Sequence, residues 1–411
     1  MPTRPVAAAT LYPTSSAARD RFVLDRRPVR VDPDPWRFQD VIVEDERTAD
    51  GRAARTATVF LTGRECPWRC VMCDLWRYTT AGDTPPGAIP AQVAAARKRL
   101  LSEQRPVTHL KLYNAGSFFD PRAVPEQDYE AVAAEVGRFE QVVVESHPAL
   151  VGERVDRFLD ALDVHRSSRG AAARLEVAMG LETVHPAALE RLHKRMTVNQ
   201  FADAANRLIE RRVDVRVFLL IAPPFVPAEE QDAWLQESID TAFGCGASVV
   251  TLIPTRAGNG AMETLSADGS FRLPSLDAIE RSVELSHARL AARGESLASH
   301  RGGRGAPPAR RDPGAPDARF PARWGGGDRE YREYLSEEQR SQRGCIARRM
   351  QPDSHHGLSG HRGRLFVDLW NLEQFSECPT CLDARRVRLH TMNLEQRIPP
   401  PIACARHERR Q

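Results

Sequence analysis

Residues 56–73 read TATVFLTGRECPWRCVMC, in which a short apolar and β-branched run leads directly into three cysteines. The run at its start is the first of six segments of this kind, each almost continuously apolar. Such runs are typical of strands that are buried on both faces of a parallel sheet. The six predicted strands are 56–62, 107–113, 140–146, 174–181, 213–221 and 247–253.

Amphipathic segments separate and follow these strands, several of them with proline near the first turn, as is typical of helices. They cover residues 90–104, 126–138, 150–163, 186–212, 229–243 and 275–293. Strand–helix units in a row indicate an α/β fold whose parallel strands are joined by right-handed crossovers. We therefore predict a partial (β/α)6 barrel with parallel strands, plus a small cysteine-containing C-terminal extension. A doubly wound open sheet is the competing architecture.

Changes in composition along the sequence divide the chain into four segments. Residues 1–54 form an N-terminal extension that we expect to be partly disordered, and residues 55–295 form the barrel. Twelve of the 27 residues in 301–327 are glycine or proline. The few apolar side chains that remain cannot build a hydrophobic core. We therefore interpret 296–362 as a disordered insertion, with an altered reading frame as the alternative. Residues 363–411 are the cysteine-containing C-terminal segment.

Composition narrows the class of protein. Hydrophobic residues make up 41% of the 411 and charged residues 27%, with a formal net charge of +3, which is a globular balance. No stretch approaches the roughly 18 consecutive apolar residues of a membrane span, so we expect no membrane association. No signal-peptide pattern is seen at the start. We therefore expect a cytoplasmic protein, where clustered cysteines indicate metal binding or catalysis.

The sharpest motif is Cys66, Cys70 and Cys73, spaced C-x3-C-x2-C in the loop after the first predicted strand. Three thiolates in a tight loop can hold three irons of a 4Fe–4S cluster and leave the fourth iron open. Loops that follow the strands of a parallel barrel converge on its active-site face. The alternatives are a structural zinc site without a fourth ligand, or three buried and inert cysteines.

This motif, placed after the first strand of a six-unit partial barrel, resembles the radical SAM superfamily. The third predicted strand ends in Glu145-Ser146-His147-Pro148, which is similar to the E-x-x-P ending of Elongator-type and methylthiotransferase-type members. The resemblance implies that S-adenosylmethionine (SAM) chelates the open iron. Reduction of the cluster then cleaves SAM to a 5′-deoxyadenosyl radical, which abstracts hydrogen from a substrate. It also implies an electron donor such as flavodoxin or ferredoxin. Met72 departs from the family pattern, which has an aromatic residue before the last cysteine.

The same resemblance places SAM contacts at the ends of the later strands. It assigns Glu182 to the ribose hydroxyls, and Lys194 or Arg195 to the SAM carboxylate. Backbone groups at Ile221 and Ile253 would contact the adenine. The turn that would receive the SAM amino group is formed by Asn114, Ala115, Gly116 and Ser117.

A second group of cysteines lies near the C-terminus. Cys378, Cys381, Cys404 and His407 have the C-x2-C…C-x2-H spacing of a tetrahedral zinc site. An auxiliary iron–sulfur cluster and a site without metal remain open alternatives. The segment 383–397 between them predicts an amphipathic basic helix, which would contact either RNA phosphates or solvent.

Within the superfamily, the segments TGRECPWRCVMCDLW and KLYNAGSFFD resemble archaeosine-forming enzymes that act on tRNA. The sequence therefore predicts a radical SAM enzyme that modifies RNA, with a tRNA nucleoside as the candidate substrate. The alternative is a non-catalytic, Fe–S- or zinc-stabilised RNA-binding module with a decayed SAM site. Release of 5′-deoxyadenosine distinguishes the two, because a binding module would form none.

Overall fold

The computed structural model describes residues 12–48, 51–165, 172–301, 363–376 and 378–402. The chain divides into two compact units, one of Met1–Arg289 with His361–Gln411 and one of Leu290–Gly360. The sheet and the candidate site belong to the first unit. Most of the segment interpreted as an insertion, 296–362, lies outside the described residues.

Eight strands form one sheet in which the spatial order is the chain order. The first pair is antiparallel and every other neighbouring pair is parallel. A doubly wound sheet would reverse the strand order at a switch point, so that alternative is excluded. The predicted barrel-like α/β fold is confirmed. The strands are β1 Asp40–Arg47, β2 Ala53–Leu61, β3 His109–Asn114, β4 Gln141–Glu145, β5 Arg174–Glu182, β6 Asp214–Ile221, β7 Val249–Pro254 and β8 Arg364–Val367.

Helices connect the parallel strands and cover the outside of the sheet. They are α1 Ser16–Leu24, α2 Ala88–Leu100, α3 Tyr129–Val136, α4 Glu153–Val164, α5 Pro186–Arg191, α6 Val198–Glu210, α7 Gln231–Gly244, α8 Ala261–Ala267, α9 Leu276–Arg301 and α10 Pro379–Glu395. Within the described ranges, no helix combines the length and the apolar character that a membrane crossing needs.

The stretch 186–212 is two helices, and the prediction of one continuous helix is wrong. Between α5 and α6, His193 and Arg195 adopt positive φ angles of 61° and 56°, which no α-helix accommodates. Thr197 then starts α6 through a capping box with Gln200. The loop 192–197 therefore carries Lys194, which was expected on a helix.

Helix α10 closes the gap between the two edge strands. The Arg47 side chain on β1 donates to the carbonyl oxygen of Leu394 at 2.7 Å, and Arg364 on β8 donates to the carbonyl oxygen of Arg47 at 2.9 Å. The amide side chain of Asn393 pairs with both backbone groups of Val367, at 2.7 and 2.8 Å. The open edge of β8 is thereby satisfied by a helix instead of by another strand.

Two of the three arginines of α10 are not on the exposed basic face that the sequence suggested. Arg385 and Arg388 are buried, and their guanidinium groups pair with acidic side chains of α9. Arg388 lies 2.5 Å from Glu284 and 3.5 Å from Glu280, and Arg385 lies 3.4 Å from Glu280. These two cations are therefore committed to internal ion pairs.

A buried ion network fills the interior of the sheet at the N-terminal ends of the strands. Arg216 on β6 lies 2.5 Å from Glu176 and 3.0 Å from Glu46, and the Lys111 ammonium lies 2.9 Å from Glu46. Burial alone would raise the pKa of Glu46, but Arg216 and Lys111 outweigh it and lower the pKa to about 2. The network closes this end of the interior, so the open end is that of the loops that follow the strands.

Candidate active site

A cavity of about 540 Å³ lies inside the sheet and extends to the loops at the C-terminal ends of the strands. All three cysteines of the C-x3-C-x2-C motif line this cavity. Glu145, Glu182 and Lys194 line the same cavity. The structure therefore brings the thiols together with two carboxylates and one ammonium group.

The cysteine loop, residues 66–73, is held through its backbone. The side-chain nitrogen of Asn259 donates to the carbonyl oxygens of Val71 and Cys73, at 2.8 and 3.1 Å. The Asn259 side-chain oxygen accepts from the backbone nitrogen of Met262 at 2.8 Å, which fixes its orientation. The backbone nitrogen of Val71 donates to the carbonyl oxygen of Leu192 at 3.0 Å, so the cysteine loop is also joined to the Lys194 loop.

The three thiols fit an iron–sulfur cluster by their chemistry. None is in a disulfide and each is partly exposed. Burial raises the pKa of Cys66, Cys70 and Cys73 to about 12, so they hold their protons until a metal displaces them. Among the described residues, no three His, Cys, Asp or Glu side chains surround a single ion position. The fit thus rests on the donor set, since the cysteines of a cluster bind separate irons.

A buried ion pair lies beside the thiols. The Lys194 Nζ atom lies 2.5 Å from Oε1 of Glu182, the last residue of β5. Burial alone would lower the pKa of Lys194, but Glu182 outweighs it and raises the pKa. Gly180 leaves the necessary space, because a Cβ atom there would lie 2.1 Å from the Glu182 carboxylate and 2.2 Å from Nζ. The pair presents one charge of each sign to the cavity.

Glu145 ends β4 and is a third ionisable group in the lining of the cavity. Burial raises its pKa to about 8, with Lys194 opposing the shift and Glu182 adding to it. Its carboxyl makes no side-chain hydrogen bond to any other described residue. Near neutral pH the group therefore holds a proton that a bound molecule can share.

His147 follows Glu145 closely and contacts both loops of the site. Its ring stacks on the Trp68 indole, with centroids 3.6 Å apart and planes at 11°. Its Nε2 lies 3.0 Å from the carbonyl oxygen of Lys194. Burial is the main reason that its pKa is lowered to about 3. The imidazole is therefore neutral at physiological pH.

Sequence reasoning missed His147 and Asn259 as parts of the site. A weak signal exists for each, because each lies just after a predicted strand, where loops converge. Asn259 also lies between two glycines, Gly258 and Gly260, in a turn. Their partners are distant in the chain, and no spacing rule reveals those contacts.

Of the remaining residues that were predicted to contact SAM, some line the cavity and others do not. Ala115, Gly116, Ser117 and Ile253 line the cavity, whereas Asn114, Arg195 and Ile221 do not. The Arg195 side chain turns outward and pairs with Asp20 at 2.5 Å. The Ile221 carbonyl oxygen accepts from the Thr255 hydroxyl at 2.8 Å. Both amide atoms of the Asn114 side chain are buried without a partner in the described residues.

Of the predicted C-terminal ligands, Cys378 and Cys381 do not line this cavity. Cys378 and Cys381 are buried at the start of α10, and the Cys381 sulfur lies 3.6 Å from the carbonyl oxygen of Cys378. Cys404 and His407 lie outside the described residues. Zinc bound by these four residues stays a prediction.

Aromatic side chains line another part of the cavity. Phe60 on β2 stacks on Trp370 with centroids 4.4 Å apart, and Tyr113 packs edge-on against Phe218. Trp370 belongs to the C-terminal segment, which also adds His390 to the lining. Residues 366–370 and helix α10 therefore contribute to the lining of the cavity that the thiols also line.

Comparison with other proteins gives few and distant relatives. No protein-family model matches the chain. The archaeosine synthase subunit beta of Methanosarcina acetivorans is 25% identical over 285 residues, which are 64% of this chain and 77% of that protein. An uncharacterised Methanocaldococcus jannaschii protein, MJ0550, is 25% identical over 176 residues, 41% of this chain and 45% of that protein.

Solved structures give a fold-level likeness. The archaeal Elp3 of Methanocaldococcus infernus is 14% identical with a TM-score of 0.40, over 50% of this chain and 52% of that one. The radical SAM methyltransferase TsrM of Kitasatospora setae is 14% identical at 0.35, over 48% and 35%. The Escherichia coli radical SAM enzyme HemN, a coproporphyrinogen III oxidase, is 12% identical at 0.37, over 57% and 52%.

The chain spans only about half or less of these solved proteins and of MJ0550. At such TM-scores no residue role passes from them to this chain. The chain is therefore similar in sequence to an archaeosine synthase subunit, the group of proteins that its motifs resemble, and radical SAM enzymes are among the solved structures that it matches.

Proposed function

We propose that this chain is a radical SAM enzyme in which Cys66, Cys70 and Cys73 hold a 4Fe–4S cluster. The observation that carries the proposal is that these three free thiols line one cavity together with the Glu182–Lys194 ion pair. When bound and reduced, the cluster supplies the electron that cleaves SAM and starts radical chemistry on a substrate.

The residues of the chain supply binding and exclusion of water. Lys194 would neutralise the SAM carboxylate and Glu182 would accept hydrogen bonds from ribose hydroxyls, exchanging their mutual contact for contacts with the cofactor. Ala115, Gly116 and Ser117 would leave room for its amino group. Glu145 would hold or accept a proton beside it, because its pKa is raised to about 8 by burial. The aromatic walls keep the reacting atoms away from solvent.

We propose a tRNA nucleoside as the substrate, so that the reaction is an RNA modification. The support is the similarity to archaeosine synthase subunit beta, which extends over 77% of that protein. The altered nucleoside would have to leave its stack to reach the cavity. Arg385 and Arg388 give this proposal no support, because both are committed to buried ion pairs.

The proposed enzyme needs a one-electron donor, for which a flavodoxin or a ferredoxin is suited. We propose that it works in the cytoplasm. Thiols outside disulfides persist in that reducing compartment, and Cys66, Cys70 and Cys73 are not in disulfides.

The test of the enzyme is SAM cleavage. We expect the anaerobically reconstituted protein to release 5′-deoxyadenosine from SAM with dithionite, measured by mass spectrometry. Cys70→Ala should form none. The matched control is Cys245→Ala, which removes a buried thiol at the end of α7 and should keep the product. Full iron loading without product in the native protein would favour the non-catalytic RNA-binding module.

The substrate proposal has its own test. Unfractionated tRNA is incubated with the reconstituted protein, SAM and dithionite, then digested to nucleosides and analysed by mass. We expect a nucleoside of changed mass that is absent with Cys70→Ala. Release of 5′-deoxyadenosine without any changed nucleoside would contradict tRNA as the substrate and leave the enzyme class standing.

A further inference from the structure

We propose that His147 is a positioning residue that fastens the Lys194 loop, residues 192–197, to the cysteine loop, residues 66–73. Its value to the enzyme rests on the proposed function, whereas the contacts themselves do not. No sequence pattern assigns a role to this histidine, which lies between Glu145 and Pro148.

The imidazole contacts both loops at once. Its face lies 3.6 Å, centroid to centroid, from the indole of Trp68, which lies between the first two cysteines. Its Nε2 lies 3.0 Å from the carbonyl oxygen of Lys194. The ring is buried, with 7% of the residue exposed. A single side chain therefore joins the part of the chain that holds the thiols to the part that holds the ammonium group.

The hydrogen-bond partners fix which ring nitrogen carries the proton. Nδ1 lies 3.1 Å from the backbone nitrogen of Ala149, which can only donate. Nδ1 therefore accepts, and Nε2 carries the hydrogen that it donates to Lys194. The backbone nitrogen of His147 donates to the Ser117 hydroxyl at 2.9 Å. The ring cannot turn without losing its contacts on both sides.

The Lys194 loop needs such an anchor because its other fixed side chains point the opposite way. His193 and Arg195, both at positive φ, pair with Asp20 of α1 at 2.9 and 2.5 Å. Only Lys194 enters the cavity from this stretch. His147 holds its carbonyl oxygen from the inside, so that Asp20 and His147 clamp the loop between them.

Two substitutions separate the two contacts of the ring. His147→Phe keeps an aromatic face for Trp68 and removes the donor to Lys194. His147→Gln keeps a side-chain nitrogen that can donate to Lys194 and removes the stacked ring. His147→Phe also removes any acceptor for Ala149, whereas the amide oxygen of His147→Gln lies farther along the side chain than Nδ1 did.

Endoproteinase Lys-C gives a readout that needs neither cluster nor SAM. The chain has three lysines, Lys98, Lys111 and Lys194. Lys98 is exposed on α2 and serves as an internal reference, while Lys111 is buried in β3. We expect His147→Phe to speed cleavage after Lys194 at least fivefold relative to Lys98. His147→Gln should stay within twofold of the native protein.

The reconstituted protein gives the second readout. We expect the Kd for SAM to rise about tenfold in His147→Phe, the effect of one lost hydrogen bond, and less than threefold in His147→Gln. Loss of iron in air should be faster in His147→Gln, whose Trp68 is no longer covered. Equal effects of the two variants in both assays would show a merely structural histidine and overturn the proposal. A native protein without SAM cleavage but with the expected Lys-C pattern would refute only the proposed function.

Discussion

The side-chain nitrogen of Asn259 lies 2.8 Å from the carbonyl oxygen of Val71, so a residue after β7 holds the middle of the cysteine loop. Replacing it by alanine leaves buried carbonyl oxygens of that loop unpaired. We expect Asn259→Ala to destabilise the protein by about 1–3 kcal/mol and to lower the iron bound on reconstitution. Thermal unfolding and an iron assay measure the two effects.

Asn206→Ala is the control for this substitution. Asn206 lies on α6 and makes no side-chain hydrogen bond to another described residue. It should change neither the unfolding temperature nor the iron content. If Asn259→Ala also binds a full complement of iron, the amide is not needed to order the loop.

Gly180→Ala tests the space under the Glu182–Lys194 pair. The new Cβ would lie 2.1 Å from one partner and 2.2 Å from the other. Both obstructing atoms are ends of flexible side chains, so the fold should survive while the pair is displaced. We expect the Kd for SAM to rise at least tenfold by equilibrium dialysis, with little change in the unfolding temperature.

Gly82→Ala is the matched control, because no atom lies within 4 Å of its added Cβ. It should bind SAM as the native protein does. Native affinity in Gly180→Ala would show that the position of the ion pair does not matter for the cofactor.

The raised pKa of Glu145 predicts a pH-dependent stability. Burial holds the folded pKa at about 8, above the value of about 4.3 of a free glutamate. The folded state then binds the extra proton, so its stability falls as pH rises between these two values. We expect Glu145→Gln, which does not titrate, to gain several degrees of unfolding temperature over the native protein from pH 5 to pH 8.5.

Glu229→Gln is the control for the pH series, because Glu229 is exposed beside α7. Its difference from the native protein should stay constant with pH. A constant difference for Glu145→Gln as well would mean that Glu145 is ionised in the folded protein throughout.

Arg216→Met tests the ion network that closes one end of the interior. It leaves the fully buried Glu176 without its partner at 2.5 Å and removes one of the two cations on Glu46. We expect a loss of about 3–5 kcal/mol in the free energy of unfolding, measured by urea denaturation. Arg157→Met, on an exposed pair with Glu126, should leave it unchanged. A small effect at Arg216 would mean that water compensates the two carboxylates.

The six central strands could be predicted because strands that are buried on both faces consist of nearly continuous apolar residues. The first strand could not. In β1, Glu44 and Glu46 face the interior and pair with Lys111. In the sequence, a charged residue at an interior position looks like a residue on the protein surface, so β1 shows no buried apolar run. The pairing of β8 with β7 also escaped prediction, since a four-residue strand carries no sign of its neighbour.

The site followed a similar division. Local spacing identified Cys66, Cys70 and Cys73 as lining one loop, and the structure brings all three to one cavity. The choice between Lys194 and Arg195 was left open by the sequence, because it depends on a loop with positive φ angles that replaces a helix. Only tertiary contacts decide which of two adjacent cations faces inward.

The hydrogen bond between Arg47 on β1 and Leu394 on α10 closes a seam between residues that are 347 positions apart in the chain. On the ribosome, at about 5–20 residues per second, roughly 20–70 s separate the synthesis of the two sides. During that interval the β1 edge, with Glu44 and Glu46 on its inner face, has no helix α10 to cover it. The nascent barrel is therefore open along one side for most of its synthesis, which makes seam closure a late and slow step of folding.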